Sequence, residues 1–257
     1  MNLFKSLYIH IVLLVCSSFQ VLASTDVISL NKALTAFQLA IEDSNIRLHQ
    51  YRKLKQAISF KQTSEDKNGK ILQQEFIPQK IKQGNVEGKW NTLREDAGFN
   101  QSINIADNLL FETTNIDIDN VQLVAETNST WVFRLPNAVN IESEGDDGIS
   151  NQDIMKLNDT IANYLLTEII IDKENPKIKA LKIFATEEFN PSFMVTIEKF
   201  ELRLDFSEAW PNGPIIRKNM SKHIKGDLSW VIEINEIITT ELSDIRKIDL
   251  SDVDSLI

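Results

Sequence analysis

Hydrophobic positions along the chain fall into three regimes. Leu7–Val15 is an apolar run diluted only by His10, and it follows Lys5. Leu30, Leu34, Phe37, Ile41 and Leu48 then recur at steps of three, four or seven, which sets them on one helical face. Ser24 or Thr25 with Asp26 is placed to cap that helix. Arg47 and Lys53 suit its carboxyl end, where unpaired carbonyls concentrate negative charge. The stripe either packs on the domain's own sheet or plugs a concave one.

From about residue 56 the period drops to two. Ile58 and Phe60 alternate with polar residues, Leu72, Gln74 and Phe76 answer them, and Asn68-Gly69 offers the positive-φ chemistry for the reversal. Pro78 is expected to stop the second strand, because it cannot donate to a ladder. Val121–Thr127 and Thr130–Pro136 read as a hairpin through Asn128-Ser129, with Trp131, Phe133 and Leu135 on one face. Another hairpin runs from Ile161–Asp172 to Lys177–Thr186.

In Phe193–Phe206 the apolar parity switches. Phe193, Val195 and Ile197 precede Phe200, Leu202, Leu204 and Phe206, so a bulge is expected near Glu198-Lys199. Ile216, Met220 and Ile224 form a partly polar strand, Gly226-Asp227 a turn, and Leu228, Trp230, Ile232 and Ile234 the next strand. About ten strands result, antiparallel because their links are short, each with one apolar and one charged face. Ser102–Leu110 and Ser150–Asn158 break the alternation and read as short helices or irregular segments. The class is mainly β (α+β). Residues 243–257 are acidic and poor in apolar mass, and read as a frayed tail.

Charge and targeting narrow the picture. The 257 residues carry 27 basic and 37 acidic side chains, a formal charge of -10 that repels phosphate and disfavours nucleic acid as a partner. Lys5, the apolar run and Val21-Leu22-Ala23 before Ser24 have the order of a cleavable secretory signal over residues 1–23, rather than of a retained anchor. No later stretch approaches the ~20 apolar residues of a membrane helix, so no integral span is expected after cleavage. Cleavage removes Cys16, the single cysteine. A thiol-free exported chain must rely on burial rather than disulfides, which suits a bacterial periplasm. The expected organisation is a signal over 1–23, one domain over 24–242 and a tail over 243–257.

Candidate chemistry is sparse. His49 and His223 are too few for a His-rich metal site and read as surface residues. Asp117 with Asp119, and Glu187 with Glu188, are carboxylate pairs without a motif, and the acidic loop Glu142–Gly148 lacks a calcium-loop register. No nucleophile elbow, zinc-protease helix, phosphate loop or dinucleotide fingerprint occurs, so a non-enzymatic protein with no cofactor and no metal is expected. Aromatic residues are the more suggestive feature. Trp131, Phe133, Phe200, Phe206 and Trp230 all project from the apolar sides of strands, either as core or as the lining of a concave sheet.

Several segments together resemble a group of uncharacterised Gram-negative secreted proteins. They are Phe76-Ile77-Pro78, Gly88-Lys89-Trp90-Asn91-Thr92-Leu93 with Asp96-Ala97-Gly98, Asn175-Pro176, Phe189-Asn190-Pro191-Ser192-Phe193, and Gly213-Pro214-Ile215-Ile216-Arg217 feeding Lys225-Gly226. An exported helix followed by long antiparallel strands is also similar to the LolA/LolB-like lipoprotein carriers. That resemblance implies an incomplete barrel, a half-barrel whose apolar concave face shelters acyl chains beneath helices. No residue here matches the carriers' lid-controlling arginine.

Two functions are expected from these readings. One is a periplasmic carrier or sensor of lipid or another hydrophobic ligand, bound by Trp131, Phe133, Phe200, Leu202, Leu204, Phe206 and Trp230. The other is a cell-envelope protein–protein interaction module whose cavity its own helices fill and whose partner adds at a strand edge.

Overall fold

The computed structural model describes residues 29–54, 56–82, 85–99, 109–111, 120–135, 163–192, 194–228 and 232–249. The signal segment, the acidic loop 142–148, Asp117, Asp119, the 150–158 segment and Trp230 lie outside them, as does all of Ser102–Leu110 but its last two residues. Among the described residues one helix, α1 (29–53), is followed by eleven strands in one antiparallel sheet that is curved and unclosed. The strands are β1 (Gln56–Asp66), β2 (Ile71–Lys82), β3 (Asn85–Glu95), β4 (Gln122–Glu126), β5 (Thr130–Leu135) and β6 (Leu165–Asp172). They continue with β7 (Ile178–Ala185), β8 (Phe189–Ser192), β9 (Val195–Glu208), β10 (Ile215–Leu228) and β11 (Ile232–Asp249). Their order is β3-β2-β1-β11-β10-β9-β7-β6-β5-β4, with β8 added beside β9. The expected half-barrel of antiparallel strands with an N-terminal helix is therefore the observed fold.

Paired residues in an antiparallel ladder share a face, so one row can be followed across the whole path. It reads Leu123, Phe133, Ile169, Leu181, Leu204, Met220, Thr240, Ser64, Leu72 and Glu95. This is the inner face, the side on which α1 packs. Ala33, Ala36, Phe37, Ala40 and Ile41 are buried there against Phe133, Ile169, Leu181 and their neighbours. The three alanines let the helix axis approach the strands closely. Phe37 and Ile41 then supply the apolar area that drives the contact. A second apolar cluster gathers Tyr51, Ile58, Phe60, Phe76 and Leu242, with Trp90 packed on it.

Local chemistry accounts for the bends. Gly69 closes β1–β2 at φ 74, and Asp66 Oδ1 accepts hydrogen bonds from the Asn68 and Lys70 amides at 2.8 and 2.9 Å. The β9–β10 register shifts between Lys225 and Gly226, which leaves Glu198 as the extra residue of a bulge. That is where the apolar parity of β9 was expected to switch.

Three expectations are corrected. Pro78 does not end β2, which runs on to Lys82. Beyond Phe76 the strand has lost its β1 partner, and its register with β3 shifts between Pro78 and Lys80, so the missing donor falls where the ladder is already interrupted. Gly226-Asp227 is not a turn. Both residues lie in β10 and pair with Ile234 and Glu233. Gly226 is required for close approach instead, because a Cβ there would sit 2.1 Å from the Thr196 carbonyl oxygen. Finally, residues 243–249 are not frayed tail but the end of β11, paired with Gln56–Lys61 of β1. A composition rich in charge does not prevent pairing when a neighbouring strand offers its backbone, and Lys61 meets Asp244 at 2.6 Å.

Candidate functional site

Six of the seven residues expected to line a cavity share the inner face, and they fall into two environments. Trp131 and Phe133 on β5 are 3% and 0% exposed. They are sealed under α1, and the Phe37 ring stands 4.8 Å from that of Phe133. Phe200, Leu202, Leu204 and Phe206 on β9 are only half-buried while packing against the same cluster. Ile224 of β10 and Ile234 of β11 extend this half-buried surface beyond β9.

The next row along the inner face starts at Leu135 and passes through Thr167, Ile183 and Leu202 to Lys222 and Ile238. Lys222 thus stands between Leu202 and Ile238, and Glu236 lies opposite Ile224. Lys222 Nζ donates to Glu236 Oε1 at 2.8 Å, with the two side chains 32% and 23% exposed. The ion pairs of β7 and β9, Lys182 with Glu201 diagonally across the ladder and Arg203 with Asp205 along β9, occupy the opposite parity and face outward. Neither Lys222 nor Glu236 stood out in the sequence. The signal that was available is the interruption of Met220–Ile224 and Ile234–Ile238 by one opposite charge each.

Polar groups pin the rim of the apolar surface. Glu208 at the end of β9 takes Arg47 of α1 at 3.4 Å, the Lys177 ammonium and the Asn212 amide at 2.9 Å. Burial pushes its carboxyl up, but the Lys177, Asn212 and Arg47 donors outweigh that and hold it below the usual glutamate range. At the other edge Lys173 bonds Glu126 at 2.5 Å and lies 5.4 Å from the centroid of the Trp131 ring. That ammonium is the main reason the Glu126 carboxyl is lowered. Arg217 pairs in register with Phe206, and burial pushes its guanidinium down to about 10.

His49, Glu187 and Glu188 are exposed, and His223 lies on the outer face opposite Ile237. Among the described residues, no group of three or more His, Cys, Asp or Glu side chains is placed to hold a metal, and no helix is long and apolar enough to cross a membrane. Comparison with known proteins found no match: no family model, no curated protein and no solved structure matches the chain.

Proposed function

We propose that the protein is a non-enzymatic periplasmic carrier or sensor that holds a lipid or other hydrophobic ligand against the inner face of its open sheet, in the manner of the LolA/LolB-like half-barrels. One observation carries this reading. Phe200, Leu202, Leu204 and Phe206 are left half-buried along β9, while the β5–β7 part of the same face is sealed by α1. An apolar stripe of four residues at alternate positions is about 20 Å long from end to end of a strand segment of this length. Covering such a surface with an acyl chain removes methylenes from water at about 0.8 kcal/mol each. Protein expressed with its signal and purified gently carries a co-purifying lipid in native mass spectrometry. A clean apo spectrum together with no uptake of a fluorescent fatty acid rejects the proposal.

The burial of Trp131 and of Phe133, the latter against the Phe37 ring, favours a second reading, an envelope interaction module whose interior is filled by its own helix. The sheet path then ends in edge strands β3 and β4, where a partner adds a strand. Site-specific photocrosslinking from exposed Leu93 of β3 and Val124 of β4 captures that partner in the periplasm. No adduct from either edge rejects this alternative.

A further inference from the structure

We propose that the ligand is a zwitterionic amphiphile whose head group docks on the Lys222–Glu236 ion pair, its phosphate to Lys222 Nζ and its ammonium to the Glu236 carboxylate; this rests on the lipid-binding reading above. The pair sits among Leu202, Ile224 and Ile238 on the face that elsewhere along β9 is apolar. Ions withdrawn from water beside apolar neighbours cost desolvation, and an apolar pair of the same volume stabilises a fold as well or better. A structural role is therefore a poor reason for charge at this place.

The pair also keeps bonding capacity in reserve. An ammonium has three donors and a carboxylate accepts several bonds, yet the 2.8 Å contact is the one hydrogen bond either group makes among the described residues. Both side chains remain partly exposed, at 32% and 23%, so a head group can reach them without breaking the pair. A purely anionic head gains Lys222 but meets Glu236, and a cationic one has the reverse problem. A zwitterion laid head-to-tail against the pair satisfies both charges, and its chain then continues over Leu202, Leu204 and Phe206.

The test measures binding of three single-chain lipids of equal acyl length to the purified chain by calorimetry. They are lysophosphatidylethanolamine (zwitterionic), lysophosphatidylglycerol (anionic) and a monoacylglycerol (neutral). The expected result is a Kd about tenfold lower for the zwitterion than for the other two. In the double variant Lys222→Met, Glu236→Leu the three affinities converge to within about twofold while acyl binding persists. The reversed pair Lys222→Glu, Glu236→Lys keeps the preference, and it serves as the test if the apolar variant does not fold. Equal binding of the three lipids by the wild type, or an unchanged preference in the apolar variant, overturns the head-group assignment and leaves lipid binding standing. Failure to bind any of the three overturns both.

Discussion

The Phe37 ring of α1 and the Phe133 ring of β5 lie 4.8 Å apart, tilted by 51°, both with no exposed surface. This contact fastens the helix to the sheet at the centre of the main apolar cluster. Phe133→Ala is expected to cost about 3–5 kcal/mol by lost burial and a residual cavity. A double-mutant cycle with Phe37→Ala should return a coupling of about 0.5–1.5 kcal/mol in urea unfolding. Additive losses would mean that the two rings act independently.

The hydroxyls of Ser64 and Thr240 are buried and 3.0 Å apart, and Ser64 also receives the Gln62 amide at 3.2 Å. Thr240→Val keeps the shape and removes one partner, so a loss of about 1–3 kcal/mol is expected. Adding Ser64→Ala should cost less than its single replacement, because the orphaned hydroxyl is removed as well. Chemical denaturation of the four proteins checks this.

Gly226→Ala brings a methyl group into the space 2.1 Å from the Thr196 carbonyl oxygen, a backbone atom that cannot swing aside. The bulge at Glu198 must then reopen, at about 1–3 kcal/mol. The expected signature is a lower denaturation midpoint, with faster amide exchange across Val195–Lys199 than elsewhere in β9.

Glu208 makes stability depend on acid. Its folded pKa lies below the ordinary value of 4.5, so the unfolded chain binds the extra proton in the interval between the two. Its contribution is complete above that ordinary value and is lost as pH falls through the lower, folded one. In Glu208→Gln this step should vanish. The difference in unfolding free energy between variant and wild type is then expected to shrink steadily below pH 4.5. A difference that stays constant across that range would show that Glu208 acts by packing alone.

How much of the fold is legible in the sequence depends on the distance over which the cause acts. The β4–β5 hairpin with Trp131, Phe133 and Leu135 on one side, and the bulge near Glu198, follow from alternation between adjacent residues, and both are present. The misread places are those where a distant strand decides. Pro78 continues β2 because the pairing of β2 with β1 has already ended at Phe76, and Gly226 serves the close approach of Thr196 rather than a turn. Ser243–Asp249 becomes strand because β1 runs beside it.

The chain by itself determined the helix stripe from Leu34 to Leu48 (Leu30 at its start is exposed), the period-two strands and the apolar parity of β9, since these depend on the geometry of consecutive residues. Only the tertiary structure decided which strands are neighbours, and with that which aromatic residues are sealed and which stay half-exposed. Trp131 and Phe200 carry similar sequence signals, yet α1 covers one and leaves the other open to the inner face. The pairing of Lys222 with Glu236 belongs to the same category. Fourteen positions separate them, and only the β10–β11 register brings the two charges to 2.8 Å.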